Sequence, residues 1–340
     1  MPEAPIAAAG DWARAVAEVV AEPMILVREG RILLANAAAR ALLGAWIEGR
    51  DVRLAVRHPA ALERLLGRSQ DTNEIEMTGI GDPDRRWTMT VASFGEGYRA
   101  ARFSDVSEAA AAERMRTDFV ANASHELRTP LATLLGFLET LHDPKARDDA
   151  ATFDRFLGIM EAEGRRMQRL IDDLLSLSRI EAERFSAPSA TLALGPLALE
   201  AAGHLRHVAE ARGSEVRVEA EEGLPPVPGE RSELMQLLDN LVGNALRYGR
   251  AGRPVTVSLK REPGFVHLAV ADEGEGIAPE HIPRVTQRFY RVDPGRSRAV
   301  GGTGLGLAIV KHVVERHRGR LEIESVVGKG TIVHVRLPAA

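Results

Sequence analysis

The amino-acid sequence predicts a multidomain chain in which a small α+β domain is followed by a helical hairpin and then by an α/β sandwich. Three observations give this division. Short runs of alternating apolar and polar residues occupy roughly residues 12–107, apolar residues recur at steps of three and four over 108–183, and alternating runs between glycine-rich turns return over 190–338. Alternation is typical of half-buried strands, whereas steps of three and four are typical of amphipathic helices.

The first domain begins with "PMILVREGRILL", in which two apolar runs flank Glu29 and Gly30 and therefore predict a β-hairpin. A short helix is expected in "NAAARALLG". Further strands are expected in "RRWTMTV", where Trp87 and Met89 alternate with threonines, and around "YRAARF". Strands with short helices between them indicate a small α+β domain.

Two apolar stripes in 108–183, separated by the polar stretch "HDPKARDD", predict two helices of about 30 residues in an antiparallel hairpin. One hairpin buries two such stripes poorly. Pairing with a second copy into a four-helix bundle would bury them, so the sequence predicts a homodimer through the hairpin.

The third region follows a linker expected in "FSAPSATLALGP". It contains the strand-like runs "EVRVEA", "VTVSLK", "FVHLAV", "RLEIESVV" and "TIVHVRLP", and two amphipathic helices are expected at 231–248 and 304–317. This mixture of strands and helices predicts an α/β sandwich.

The composition narrows the class of protein. The net charge of −4 does not favour direct binding to nucleic acid, and the absence of cysteine excludes disulfides, cysteine-ligated metal centres and thiol catalysis. The nearest candidate for a membrane span, "ARAVAEVVAEPMILV", is interrupted by Glu18, Glu22 and Pro23, and a span needs about 20 largely apolar residues. We therefore expect a cytoplasmic protein with no transmembrane segment in this chain; peripheral association with the inner membrane through a partner stays open as an alternative.

A histidine lies on the polar face of the first hairpin helix, in "FVANASHELRTPLATL". At about 100° per residue, His125 points away from the apolar stripe and Thr129 follows it at i+4. Neutral imidazole is a good nucleophile near pH 7, and the adjacent Glu126 can orient the ring and take its proton. Pro130 removes a backbone hydrogen bond and bends the helix. A lone His-Glu pair on a helix is most often only solvated, so a function for it depends on the rest of the chain.

A polar edge is expected on the helix at 231–248. Asn240, Asn244 and Arg247 share one face of "DNLVGNALRYG", away from the leucines. Two amides and a guanidinium suit a hydrated magnesium ion and phosphate oxygens. Taken alone, the segment is equally an amphipathic helix with a polar face.

Two glycine-rich segments follow. In "VADEGEGI", Asp272 could accept a hydrogen bond from a purine amine, while Gly274 and Gly276 would let the backbone approach a flat ring; a strand-ending turn is the plainer interpretation. In "GGTGLGLAIV", four glycines open directly into a helix, and free amides at a helix N-terminus bind phosphate. The second segment is not a P-loop, since no Gly-Lys-Ser/Thr follows.

Five segments, in this order, resemble the five conserved boxes of sensor histidine kinases: "SHELRTPL", "NLVGNALRY", "DEGEGI", "RFYRVD" and "GGTGLGLAIV". The resemblance covers about 109–338. It implies a dimeric histidine-phosphotransfer bundle and an ATP-binding domain of the GHKL (Bergerat) type shared with gyrase, Hsp90 and MutL. ATP and Mg²⁺ are the cofactors that it implies.

The resemblance assigns roles residue by residue. His125 matches the phosphoacceptor, Glu126 the neighbouring acid/base, and Thr129 the residue that positions water when such proteins dephosphorylate their partner. Asn244 matches the magnesium ligand. The remaining matches surround the nucleotide: Asn240, Arg247 and Arg291 near the phosphates, Tyr248 and Asp272 at the adenine, Gly274 and Gly276 in the first glycine box, and Gly302, Gly304 and Gly306 in the lid.

The N-terminal region resembles a PAS sensor domain through "ILVREGRILLANAAARALLG" and "ARFSDVSE". Together with "TQRFYRVDPGRSR" it looks most like the phosphate-regulon sensor kinases. This implies autophosphorylation on His125, transfer to an aspartate of a response-regulator receiver domain, phosphatase activity, and a role in phosphate-starvation signalling. Two alternatives stay open: a GHKL-type ATPase without phosphohistidine, and a degenerate kinase that acts as a dimeric scaffold.

Overall fold

The computed structural model of the chain describes residues 14–69, 71, 73–95, 97–143, 149–183, 186–293 and 302–340. The chain divides into two compact units that join between Val120 and Ala121. No helix among the described residues has the length and apolar character needed to cross a bilayer.

The first unit contains an antiparallel sheet with short helices. The elements in chain order are β1 (Met24–Arg28), β2 (Arg31–Ala35), α1 (Ala37–Leu43), a 3-10 helix (Val52–Leu54), α2 (Pro59–Leu65), β3 (Ile75–Thr78), β4 (Arg86–Phe94) and β5 (Tyr98–Asp105). The described strands lie in the order β2-β1-β5-β4-β3. The apolar side chains of these elements form one buried cluster that includes Ile25, Ile32, Leu65, Met89 and Phe103.

The predicted β-hairpin is confirmed. β1 pairs with β2 through a turn in which both Glu29 (φ 52°) and Gly30 (φ 78°) are left-handed. A two-residue turn of this kind matches the twist of the strands that it joins. The predicted Ala/Leu helix is α1, which begins after Asn36 and ends at Gly44 (φ 109°).

Asn36 is a buried polar side chain that joins three parts of the first unit. Its Oδ1 accepts hydrogen bonds from the backbone N–H of Met24 (3.0 Å) and of Ala39 (2.9 Å), the second of which caps α1. Its amide nitrogen lies within hydrogen-bond distance of three carbonyls at and after the helical segment 14–19: Ala17 (3.2 Å), Val20 (2.9 Å) and Glu22 (2.8 Å).

The predicted helical hairpin is confirmed. Its two helices are α3 (Ser107–Thr140) and α4 (Ala150–Ala182). Near the turn, the rings of Phe137 and Phe156 lie 4.8 Å apart, and further from it Glu126 on α3 meets Arg166 on α4. The end of α3 thus lies beside the start of α4, and an earlier part of α3 lies beside a later part of α4, so the helices are antiparallel.

The rest of the second unit is the predicted α/β sandwich. The elements in chain order are β6 (Thr191–Leu192), α5 (Leu194–His204), α6 (Arg206–Ala211), β7 (Val216–Ala220), β8 (Val227–Pro228), α7 (Arg231–Tyr248), β9 (Val255–Glu262), β10 (Phe265–Asp272), a 3-10 helix (Ile282–Arg284), α8 (Gly306–Arg316), β11 (Arg320–Val326) and β12 (Gly330–Pro338). The described strands β11, β12, β10, β9 and β7 form one sheet in that order, antiparallel except for the pair β7–β9.

The prediction of a linker in "FSAPSATLALGP" is wrong for its second half. β6 pairs with β8 there, and α5 begins at Leu194. Leu197 and Ala198 are buried, and α5 packs against α7. The stretch has the few charges and the prolines of a linker, but its last three residues begin a helix that packs within the sandwich.

Candidate active site

His125 lies on the exposed side of α3, in the direction that the helical spacing predicts. The hydroxyl of Thr129, one turn later, donates to the His125 carbonyl (3.2 Å). Such a bond from i+4 keeps the threonine on the same side of the helix. Pro130 lies inside α3 and is buried.

Glu126 is held by two arginines. Its Oε2 lies 2.8 Å from Nη2 of Arg291 and 3.2 Å from Nη2 of Arg166. Arg291 belongs to the sandwich, and its side chain is almost fully buried. The resemblance predicted Arg291 as a site residue but not Arg166, because which residue of α4 faces Glu126 depends on the turn between the two helices.

The glycine-rich loop before α8 is bonded to the same arginine and to α4. Nη2 of Arg291 also donates to the Thr303 carbonyl (3.0 Å), and the Thr303 hydroxyl donates to Oδ2 of Asp173 (2.8 Å). Burial raises the pKa of the Asp173 carboxyl, although Thr303 and Arg247 act in the opposite direction. Asp173 and Thr303 were not predicted, and no pattern within either segment indicates that they meet.

The polar edge of α7 is present as predicted. Oδ1 of Asn244 accepts a hydrogen bond from Arg247 (3.1 Å), and burial lowers the pKa of the Arg247 guanidinium. The start of α8 lies against this edge, since a Cβ placed on Gly306 would be 2.8 Å from Oδ1 of Asn240 and 3.7 Å from Nδ2 of Asn244. Three of the predicted phosphate-side residues and the last lid glycine therefore lie together.

The predicted adenine-side residues lie at the end of β10. Oδ1 of Asp272 accepts a hydrogen bond from the Gly274 N–H (2.8 Å), and burial raises the pKa of the Asp272 carboxyl. A Cβ on Gly274 would overlap the Tyr248 carbonyl oxygen, and one on Gly276 (φ 70°) would overlap the carbonyl oxygen of Val326. Both glycines are therefore required by the packing of the protein backbone itself, as the interpretation of a strand-ending turn implies.

The described part of the lid is a tight loop. Gly302 is buried, and Gly304 (φ 75°) passes so close to Phe289 that a Cβ would lie 3.0 Å from its backbone. The Phe289 N–H donates to the Gly304 carbonyl (2.8 Å). Gly301, the first glycine of the motif, lies outside the described residues.

The polar groups between α7 and the start of α8 fit a magnesium nucleotide. Amide oxygens of α7 are hard ligands, Arg247 supplies positive charge, and a helix N-terminus lies opposite. Over the described residues, no group of three or more His, Asp or Glu side chains is placed to hold a metal ion by itself. A magnesium ion here would therefore take much of its coordination from phosphate oxygens and water, as this ion usually does.

Comparison with known families agrees with this geometry. Residues 229–340 match the histidine kinase-, DNA gyrase B- and HSP90-like ATPase family, residues 115–183 match the His Kinase A (phospho-acceptor) domain, and residues 13–86 match a PAS domain. The chain belongs to the PAS-containing sensor histidine kinases, a family of protein-histidine kinases, and its C-terminal region is their ATP-binding domain.

Within this family the chain is similar over most of its length to a sensor protein of the phosphate regulon. It is 36% identical over 311 residues to the phosphate regulon sensor protein PhoR of Pseudomonas aeruginosa, which covers 91% of this chain and 70% of PhoR. It is 40% identical to the sensor-like histidine kinase SenX3 of Mycobacterium tuberculosis over 237 residues, 69% of this chain and 57% of SenX3. The histidine kinase AdeS of Acinetobacter baumannii shares the fold, with a TM-score of 0.50 at 24% identity over 63% of this chain and 98% of AdeS.

Proposed function

We propose that this chain phosphorylates itself on His125 with ATP and then passes the phosphoryl group to an aspartate of a response regulator. The observation that carries the proposal is the pair of bonds from Arg291, which joins the glycine loop of the ATP-binding domain to the glutamate beside His125. A residue predicted at the nucleotide phosphates is thereby adjacent to the predicted phosphoacceptor.

In the proposed reaction, a ring nitrogen of His125 forms a bond to the γ-phosphorus of ATP while the bond from that phosphorus to the bridging β–γ oxygen breaks, and ADP leaves. The ring proton passes to Glu126. Transfer of this kind depends mainly on in-line positioning and on neutralising the phosphate charge. Arg247 and Arg291 would supply positive charge from this chain, and a bound magnesium ion would supply the rest.

The other predicted residues would hold the nucleotide. Asn244 would ligate magnesium through its amide oxygen, and Asn240 would contact the phosphates beside it. Asp272 would accept a hydrogen bond from the adenine amine, with Tyr248 next to the base. The remaining members of the proposed site are the glycines of the two boxes: Gly274, Gly276, Gly302, Gly304 and Gly306.

We also propose a homodimer through the hairpin. In the single chain, apolar side chains on one face of each helix remain exposed: Leu131, Leu135 and Leu138 on α3, and Leu157, Ile171 and Leu175 on α4. Their spacings of four, seven and fourteen residues place each set on one stripe. A second copy would cover both stripes, which supports a four-helix bundle.

The signalling context is proposed from the relatives. The similarity to PhoR supports a role in phosphate signalling. From the resemblance of the "SHELRTPL" segment to the family we propose a receiver domain as partner and Thr129 as the residue that positions water for dephosphorylation. We place the sensor domain at 12–107, the hairpin at 108–183 and the ATP-binding domain at 190–338. The reaction would occur in the cytoplasm, where ATP and receiver domains meet.

The test is labelling with γ-³²P-ATP. The protein should acquire acid-labile, base-stable label that is lost in His125→Gln and retained in His142→Gln, a control at another exposed histidine of the hairpin. Undiminished label in His125→Gln would contradict the proposal. Phosphate release without labelling would favour a gyrase-like ATPase, and failure to bind a fluorescent ATP analogue would favour a scaffold.

A further inference from the structure

A chain of hydrogen bonds runs from one hairpin helix to the other through the glycine loop. It begins at Asp173 on α4, whose Oδ2 accepts from the Thr303 hydroxyl (2.8 Å). The Thr303 carbonyl then accepts from Arg291 (3.0 Å), and the same Arg291 nitrogen donates to Glu126 on α3 (2.8 Å). Both ends of the chain thus belong to the hairpin, and its two middle members belong to the ATP-binding domain.

The position of Thr303 depends on the hydrogen bonds of its side chain. It lies between Gly302 and Gly304, and glycine adds more backbone freedom than any other residue. Its hydroxyl is used twice, because it donates to Asp173 and also accepts from the Leu305 N–H (3.3 Å). Without the bond to Asp173, the position of the Thr303 carbonyl would depend on two flexible neighbours.

A carboxylate at position 173 is not explained by packing alone. Burial disfavours its charged form, as the raised pKa of Asp173 indicates, and an apolar residue of similar size would avoid that cost. The carboxylate faces the hydroxyl of the loop residue that contacts Arg291. The hydrogen bond between these two side chains therefore fixes one residue of the loop against α4.

We propose that Asp173 and Thr303 are positioning residues, which hold the Arg291 guanidinium beside Glu126 so that it can neutralise the phosphoryl group as it reaches His125. This inference rests on the function proposed above. Neither residue touches the reacting atoms. Their effect should therefore fall on the rate of phosphoryl transfer and leave the affinity for ATP largely unchanged, because misplacement of a charged group by about 1 Å can reduce a rate by about 100-fold.

The first test uses a matched pair of substitutions. Thr303→Val keeps the shape of the side chain and removes the hydroxyl, whereas Thr303→Ser keeps the hydroxyl. At saturating ATP, we expect the labelling rate to fall at least about tenfold in Thr303→Val and to stay within about twofold of wild type in Thr303→Ser. The affinity for a fluorescent ATP analogue should change by less than about threefold in both, because neither substitution removes a side chain that is proposed to bind the nucleotide.

The second test asks whether the two residues act as one unit. Asp173→Ala should reproduce the slow labelling of Thr303→Val, and the double variant should be no slower than the slower single variant, because both remove the same bond. Asp172→Ala, at the exposed neighbouring position of α4, is the matched control and should label at the wild-type rate.

A third measurement does not depend on kinase activity. Hydrogen exchange of the peptide amides at 303–306 should be faster in Thr303→Val and in Asp173→Ala than in the wild type, because the Leu305 N–H loses an anchored partner. If exchange rises but the wild type is never labelled on His125, the anchoring is supported and the proposed kinase function fails. The inference is overturned by unchanged exchange, by a wild-type labelling rate in Thr303→Val, by equal losses in the serine and valine variants, or by a loss of nucleotide affinity as large as the loss of rate.

Discussion

Two helices that carry predicted site residues, α3 with His125 and α7 with Asn244, differ in how many of their residues are buried within a single chain. Eight residues of α7 are buried, among them Leu234, Leu238 and Leu241, whereas in α3 only Pro130 is. α7 lies between α5 and α8 and against β9 and β10, so its apolar face is covered by the same chain. Apolar side chains of α3 stay exposed. The difference teaches that one chain is enough to cover the apolar face of the helix that carries Asn240, Asn244 and Arg247, whereas the apolar stripe of the helix that carries His125 is left for a second copy to cover.

The largest expected effect is on the folding of the ATP-binding domain. Leu238 of α7 is 1% exposed, and Leu238→Ala should lower the free energy of unfolding by about 2–5 kcal/mol through lost burial and a cavity. Leu199→Ala on α5, where the side chain is 63% exposed, is the control and should change it by less than about 0.5 kcal/mol. Calorimetric melting of the intact chain measures both. Equal shifts for the two variants would contradict the contrast between covered and open helix faces.

The second prediction concerns the open face of α3. Leu135→Glu should separate the proposed dimer, because each copy would place a charge in an apolar interface, at a cost of about 2 kcal/mol or more per dimer. Light scattering should show a monomer at concentrations where the wild type is a dimer, with the melting of the sandwich unchanged. Thr140→Glu, at the exposed last residue of α3, adds the same charge on the side of the helix opposite the leucine stripe and should stay dimeric. A dimer that persists in Leu135→Glu would mean that α3 uses another face.

The third prediction compares two glycines of the nucleotide side. Gly274→Ala would push a Cβ into the Tyr248 backbone, which cannot yield, and should destabilise the domain by about 1–3 kcal/mol. Gly306→Ala meets only the end of the Asn240 side chain, 2.8 Å away, so the fold should be retained while Asn240 is displaced. ATP affinity of Gly306→Ala should fall about three- to tenfold, which is about 1 kcal/mol. Titration of both variants with a fluorescent ATP analogue, beside calorimetry, separates the two outcomes.

Periodicity was sufficient for the hairpin helices, for the helices that carry the predicted nucleotide residues and for the local faces of these helices, but it missed α5, whose first residues were predicted as a linker. The limits of α7 agree with the predicted helix at 231–248, and the shared edge of Asn240, Asn244 and Arg247 follows from helical spacing alone. It was insufficient for contacts between segments far apart in the sequence. Asp173 and Thr303 are 130 residues apart, and their bond depends on how the loop meets α4. The roles of His125 and Asn244 came from resemblance to a family, and they stay predictions until labelling and binding test them.

The smallest expected effect is on how the free energy of unfolding changes with pH. It comes from His317, which is buried after α8, in contrast to His125, which is exposed on α3. His317 has both ring nitrogens engaged: Nδ1 lies 2.8 Å from the Val313 carbonyl, and Nε2 lies 3.2 Å from the Glu230 N–H. A carbonyl requires N–H on Nδ1, and a donor requires a lone pair on Nε2, so this environment fits neutral imidazole. Burial lowers the pKa of His317, and nearby Arg316 acts in the same direction.

The sign of the pH dependence follows from this shift. The unfolded chain binds a proton at the histidine near pH 6.5 and the folded chain does so only at lower pH, so stability from His317 is full above about pH 6.5 and is lost as the pH falls below it. If the ring stays neutral in the fold at pH 5.5, the loss is about 1.4 kcal/mol. His317→Gln removes this pH-dependent stabilisation. The difference in free energy of unfolding between the wild type and the variant should therefore shrink by about 1 kcal/mol between pH 7.5 and pH 5.5. His207→Gln, at a side chain that is 99% exposed, is the control and should show the same change of stability with pH as the wild type. If the difference in free energy of unfolding between the wild type and His317→Gln were constant across this range, a neutral buried ring would be contradicted.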